Sequence, residues 1–185
     1  MDATVCWKNL TWPPILHIGI LSIGTLISFV VAYSKGDVSA YLPFISETGA
    51  VVPEMCIFSL CLILGSFVGA IVICYRHLIM TYFLKAADAK LQKLNHFGFA
   101  IGLISMAGLA GVAAFPFRWN KINSHVPALK VPEDQVFGIM FCSSLFEWIL
   151  YTSFLVYMLT FSIEFRNFHL LISVVPSEPK PVPVS

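Results

Sequence analysis

Glu147 is the side chain best placed to do chemistry, because it is an acid set inside a long apolar run. An ionised carboxylate at the centre of a bilayer costs roughly 2.5 kcal/mol or more, and intramembrane acids commonly mark proton or substrate paths. Counted from Val136 at about 1.5 Å per residue, Glu147 stands roughly 16 Å into its run, near the bilayer centre. The same count puts Thr25, Ser66 and Ser105 of three other apolar runs near that depth. Ser143 and Tyr151 lie one turn to either side on Glu147's own helix. Together these residues predict a midplane polar cluster in which a protonated Glu147 donates to a hydroxyl. Two roles fit such a cluster: a proton- or ligand-sensitive site, or a neutral acid that holds helices together. No lysine or arginine accompanies Glu147 in the apolar runs.

Other chemistry has less support. His17, His77, His96, His125 and His169 are scattered, without an HxxxH or HExxH partner, and neither a GxSxG turn nor a phosphate loop occurs. His17 reads as an interfacial residue near one end of its run. Cys6, Cys56, Cys61, Cys74 and Cys142 form no CxxC pair and no metal-ligand spacing, so they read as reduced, apolar packing groups. Cys6 and Cys74 lie near membrane ends, where palmitoylation is chemically open to them. Tyr75-Arg76-His77-Leu78 has the form of a tyrosine sorting signal but abuts an apolar run. No catalytic residue, metal or cofactor is expected. A net charge of +1 gives no basic field for nucleic acid.

What must position these groups is set by composition. Of 185 residues, 58% are hydrophobic and 11% charged, with a mean hydropathy of +0.84. A soluble domain carries about 25% charged residues, and a globule of this size cannot hide so much apolar surface from water. A bilayer is the solvent that fits. Four runs reach the roughly 20 residues a span needs: Ile15–Tyr33, Met55–Tyr75, Phe97–Phe117 and Val136–Ile163. The predicted fold class is all-α, a polytopic transmembrane bundle of four spans. Residues 1–14 precede the first span, residues 34–54, 76–96 and 118–135 connect the spans, and residues 164–185 form a tail. Each run follows a helix-start signal: Thr11-Trp12-Pro13-Pro14, Pro53-Glu54, Asn95 and Pro132-Glu133-Asp134. The first run is too long for a signal-peptide core and reads as a retained span.

Lys and Arg counts predict orientation. Seven fall on the side of the termini and residues 76–96, and four on the other side, which puts the former in the cytosol. Asn9-Leu10-Thr11 is a sequon that this topology leaves cytosolic, so glycosylation there would invert it. Trp7, Trp12, Tyr33, Tyr41, Phe117 and Trp119 flank spans at headgroup level. The proline-rich tail from Val175 is expected to be extended. Gly65-xxx-Gly69, Gly98-xxx-Gly102 and Ala107-xxx-Gly111 let helix backbones approach closely, either between two copies or within this chain's own bundle. Membrane lipids are expected partners, with a second copy or another membrane protein as the protein partner.

The first connection carries Pro43-Phe44-Ile45-Ser46-Glu47-Thr48-Gly49, then Pro53-Glu54 opening the next span. Physically it is a compact turn: Pro43 fixes a bend, Ser46 and Thr48 can bond backbone, and Gly49 permits a tight path. As a string it resembles the damage-regulated autophagy modulator family, within the wider DRAM/Frag/Sfk group, with Glu47 in place of the family's usual aspartate. Phe29-Val30-Val31-Ala32, Arg76, Gly111-Val112-Ala113-Ala114-Phe115, Glu147-Trp148, Leu159-Thr160-Phe161 and Phe165 are also similar. Members of that family have six spans. Here the third passes through Arg118–Gln135 to a run that resembles the sixth, as in a shortened or divergent member, and the loss of two spans keeps the C-terminus on the same side. The resemblance implies a non-enzymatic modulator of autophagy in lysosomal or related endomembranes. Two alternatives are a plasma-membrane scaffold linked to lipid distribution or phosphoinositide-kinase assembly, and a small proton-coupled transporter using Glu147. Tetraspanin and claudin readings fail because the loops lack Cys-Cys-Gly and the Trp/Cys pattern.

Overall fold

Apolar runs in hydrocarbon become helices because each backbone N–H and C=O must find its partner inside the chain. The computed structural model describes residues 3–7, 10–38, 42–86, 89–115, 137–168 and 170–174. Its four long helices are α1 (Trp12–Ser34), α2 (Glu54–Phe83), α3 (Ala89–Ala114) and α4 (Phe137–Phe165). All four are long and apolar enough to cross a membrane. Among the described residues the fold is therefore an all-α bundle of four spans. Pro13 and Pro14 occupy the first turn of α1, where a missing N–H has no helical partner to lose.

Helix α2 packs between α1 and α3, and α4 lies against α1. One apolar cluster gathers Leu10, Val72, Ile73, Met106, Met158, Phe161 and Phe165 near the end that carries the termini. A second, smaller one joins Leu21, Leu62 and Ala113. The outward faces remain apolar, as at Phe67, Ile104 and Leu150, because lipid tails are their solvent. Close contact between helices comes from small residues. A Cβ added at Gly24 would stand 2.6 Å from Cys61 Sγ, and one at Gly65 would stand 2.6 Å from Leu21 Cδ2. One at Gly102 would meet Ile73 Cγ2 at 2.9 Å, whereas among the described residues nothing lies within 4 Å at Gly111 and Gly98 meets only Arg76 at 4.0 Å. The Gly65-xxx-Gly69 face is thus turned inward.

Two features differ from the sequence expectation. Helix α2 continues past Tyr75 to Phe83, and α3 starts at Ala89 rather than at Phe97. Once a helix is nucleated, propagation adds one hydrogen bond per residue, so it does not stop where apolarity stops. The segment expected as a loop over residues 76–96 is mostly a helical hairpin, with a short 3-10 turn at Leu84–Ala86. The second feature is a small ribbon, in which β1 (Ala3–Trp7) pairs antiparallel with β2 (Leu170–Val174), Ala3 opposite Val174 and Trp7 opposite Leu170. The four described helices return Ala3–Trp7 and Leu170–Val174 to one side of the bundle, where the ribbon joins them. The expectations for Asn9, Tyr41, Trp119, residues 118–135 and the tail from Val175 lie outside the described residues.

Candidate functional site: the clamped loop

The site begins where α1 stops. Gly36 has φ +75°, a conformation open to a residue without Cβ. Its N–H donates to Tyr33 O at 3.0 Å, and the N–H of Asp37 donates to Ala32 O at 2.9 Å. This is a Schellman stop, and it fixes the direction in which Lys35 leaves the helix. Lys35 Nζ then reaches Val52 O at 2.8 Å, Glu54 Oε2 at 3.1 Å and Asp37 Oδ2 at 3.1 Å. Glu54 is the first residue of α2 and is fully buried, so this ammonium supplies its counter-charge. Burial pulls the Lys35 pKa down, while hydrogen bonds and charge from Glu54 and Asp37 push it up; the net shift is upward from 10.5. Ser28 of α1 donates to Glu54 O at 3.5 Å, adding a second link between the helices.

Within the loop, a 3-10 turn over Glu47–Gly49 organises the signature residues. The N–H of Phe44 donates to Glu47 Oε2 at 3.0 Å, and the N–H of Glu47 donates back to Phe44 O at 3.1 Å. This reciprocal pair gives the acid three residues after Phe44 a structural use, as acceptor for a loop amide. Thr48 is fully buried, and its hydroxyl donates to Ile45 O at 2.7 Å. Gly49 lies under Phe58, where an added Cβ would come within 2.8 Å of Phe58 Cβ. Pro43 and Ile45 are buried, whereas Ser46 and Pro53 are exposed.

Helix α4 closes the clamp. The N–H groups of Ile45 and Ser46 donate to Glu147 Oε2 and Oε1 at 2.8 and 3.4 Å. Trp148 Nε1 donates to Pro43 O at 2.9 Å. Three consecutive loop amides, from Phe44 to Ser46, are thus covered by the two carboxylates Glu47 and Glu147. Leu42, at φ +40°, occupies a conformation that costs a non-glycine residue about 1–3 kcal/mol and persists where its surroundings hold it. The clamp on the next four residues is what holds it.

This corrects the expectation of a midplane cluster around Glu147. Its oxygens accept from backbone amides rather than donating to a hydroxyl, and two acceptor oxygens are what a carboxylate offers. Thr25 and Tyr151 do meet, Oγ1 to OH at 3.1 Å. Thr25 stands nine residues before the end of α1, and Glu147 one turn nearer the loop than Tyr151. Glu147 therefore lies roughly 8 Å from the loop end of α1 rather than at mid-depth. Ser66 and Ser105 turn back on their own helices, donating to Ile63 O at 2.7 Å and Ile101 O at 2.9 Å. Ser143 is exposed. The reason is directional: equal depth does not give equal azimuth on a helix.

His17 is likewise not interfacial. It is fully buried, Nδ1 donates to Gly65 O at 2.8 Å, and its ring meets Phe154 edge-on at 5.8 Å. The absence of a Cβ at Gly69 makes room for it, since one would lie 2.8 Å from His17 Cε1. The signal was present in the sequence as a stripe of small or polar residues, His17, Gly24, Thr25, Ser28 and Ala32, at helical spacing. Tyr75-Arg76-His77-Leu78 lies within α2, a form in which it cannot be read as an extended signal. Among the described residues no group of three His, Cys, Asp or Glu side chains is placed to hold a metal.

The geometry defines a multi-span membrane protein in which the described part of the first inter-span loop, residues 42–53, is a hydrogen-bonded unit fastened to α4. Residues 9–128 match the family model "Frag1/DRAM/Sfk1/Cwh43P N-terminal domain", and the chain belongs to the DRAM family within that group. It is 31% identical over 108 residues to mouse DNA damage-regulated autophagy modulator protein 1, covering 58% of this chain and 45% of that one. It is 32% identical over 94 residues to human DNA damage-regulated autophagy modulator protein 2, covering 51% of this chain and 35% of that one. The chain thus spans less than half the length of these relatives. No solved structure matches it. The family match takes in α1 to α3 and the clamped loop and ends before α4.

Proposed function

We propose that this chain is a non-catalytic modulator of autophagy, resident in lysosomal or related endomembranes. The observation that carries the reading is the signature Pro43–Gly49 with Pro53-Glu54, inside the stretch that matches the family model, together with relatives named as autophagy modulators. The way the site uses its polar groups fits a structural rather than a reactive role. Glu54 is consumed by Lys35, and Glu47 and Glu147 by loop amides. In this reading α4 stands where the family's last span stands, and Glu147 and Trp148 fasten the signature loop to it.

The test is to follow the tagged protein against lysosomal markers and to measure autophagic flux in cells lacking it. Co-localisation with those markers and an altered flux restored by re-expression are expected. Enrichment at the cell surface with unchanged flux would overturn the reading in favour of a plasma-membrane scaffold.

A further inference from the structure

The end of the bundle opposite the clamped loop carries a cleft of about 200 Å³, formed where α2 turns into α3. Its lining is Thr81, Leu84, Lys85, Gln92, Asn95 and His96. Sites for drug-sized ligands occupy about 300–1,000 Å³, so this one admits a small polar group rather than a whole lipid.

The walls are tied together by their own side chains. Asn95 Nδ2 donates to Thr81 Oγ1 at 3.0 Å, and Gln92 Nε2 donates to Leu84 O at 3.1 Å. The Thr81 hydroxyl donates in turn to His77 O at 2.7 Å. These bonds tie Asn95 and Gln92 to the walls, and Lys85 and His96 are the cationic and imidazole groups of the lining. Lys85 Nζ sits 5.5 Å from the centre of the Tyr82 ring, and among the described residues no carboxylate pairs with it. Beside His96, at 5.0 Å between rings, is His77, whose buried Nδ1 has no partner among the described residues. Across residues 76–96 the sequence sets Arg76, Lys85, Lys90 and Lys93 against the single acid Asp88.

The cleft also lies at a definite depth. Helix α2 runs eight residues past Tyr75 and α3 begins eight residues before Phe97, so the hairpin projects about 12 Å beyond the apolar runs. A headgroup layer is roughly 5–8 Å thick on each side of the hydrocarbon, so the hairpin passes through it. Gln92, Asn95 and His96 stand within about 8 Å of Phe97, in the layer, and the long Lys85 side chain can reach back to it from the tip. Leu78, Tyr82 and Leu94 are exposed around the cleft, an apolar and aromatic rim of the kind that favours headgroup level over bulk water. A positive cleft held at this level meets phosphates first.

We propose that the α2–α3 hairpin cleft seats the phosphate of an anionic lipid headgroup, with Lys85 as its charge partner and His96 as a hydrogen-bond donor. The assignment rests on the hairpin's place in a membrane and is independent of the autophagy reading.

The experiment uses the purified full chain in detergent micelles, titrated with short-chain phosphatidylinositol phosphate, short-chain phosphatidylcholine and soluble inositol phosphate. Hydrogen exchange over residues 78–99 is the readout. Saturable protection by the anionic lipid, with none by phosphatidylcholine, is the expected result. A basic residue near a lipid surface contributes about 1 kcal/mol, so Lys85→Gln should weaken the apparent Kd about fivefold. His96→Gln should weaken it in the same direction, while Lys93→Gln, outside the lining, should leave it nearly unchanged. Equal protection by phosphatidylcholine would overturn the proposal, and so would equal weakening by Lys93→Gln, which would show only a diffuse field. Protection by inositol phosphate as strong as by the lipid would overturn the lipid source and assign the cleft to a soluble phosphate.

Discussion

Replacing Glu147 by glutamine tests the clamp directly. The carboxylate accepts one short bond from Ile45 and one longer bond from Ser46. A hydrogen bond to a charged group contributes about 1.5–3 kcal/mol and a neutral one about 0.5–1.5 kcal/mol. Glutamine keeps a carbonyl oxygen for the Ile45 amide but turns an N–H₂ toward Ser46, whose amide water can cover. Glu147 is only half-buried, so the estimate is discounted for solvent screening. The net loss is about 1–2 kcal/mol, a 5- to 30-fold rise in the population of the opened loop. Hydrogen exchange of the full chain in nanodiscs measures this as faster exchange over residues 42–53 with α3 unchanged. Glu147→Leu, which leaves the buried Ile45 amide unpaired, should go further in the same direction. Unchanged loop exchange in both variants would refute the clamp. If Glu147-dependent proton flux in liposomes accompanied that result, the acid would be a proton carrier instead.

Four further outcomes are expected. Gly49→Ala forces a methyl against Phe58 and should destabilise the loop–α2 contact by about 1–3 kcal/mol, read as a lower thermal unfolding midpoint. Gly69→Ala presses on the His17 ring and should lower the same midpoint, whereas Gly111→Ala, with open space around it, should not. Tyr151→Phe removes the bond to Thr25 and should cost about 0.6 kcal/mol, the average for such bonds between membrane helices. The Lys35 pKa is raised on folding, so its stabilisation is complete below 10.5 and is lost as pH rises through the higher folded value. The unfolding midpoint should therefore hold steady from neutral pH to about 10 and fall beyond it, and Lys35→Met should abolish that alkaline limb.

The sequence by itself determined the four spans, because the run length needed to cross hydrocarbon and the demand for internal backbone bonding are local properties. It also carried the family, through a loop whose Phe44-to-Glu47 spacing matches a reciprocal cap. Helix ends were less legible, since α2 and α3 continue through polar residues that composition treats as loop. Pairings between distant segments were not legible at all. The β1–β2 ribbon joins opposite ends of the chain, and Ile45 meets Glu147 across 102 positions. Depth could be counted along each helix, but the direction each side chain faces depends on how the helices rotate against one another. Gly24, Gly65 and Gly69 let α1 and α2 close together around His17, and the contacts of Glu147 and Trp148 with the loop turn α4, so only the tertiary structure could move Glu147 from an imagined polar centre to the loop it holds.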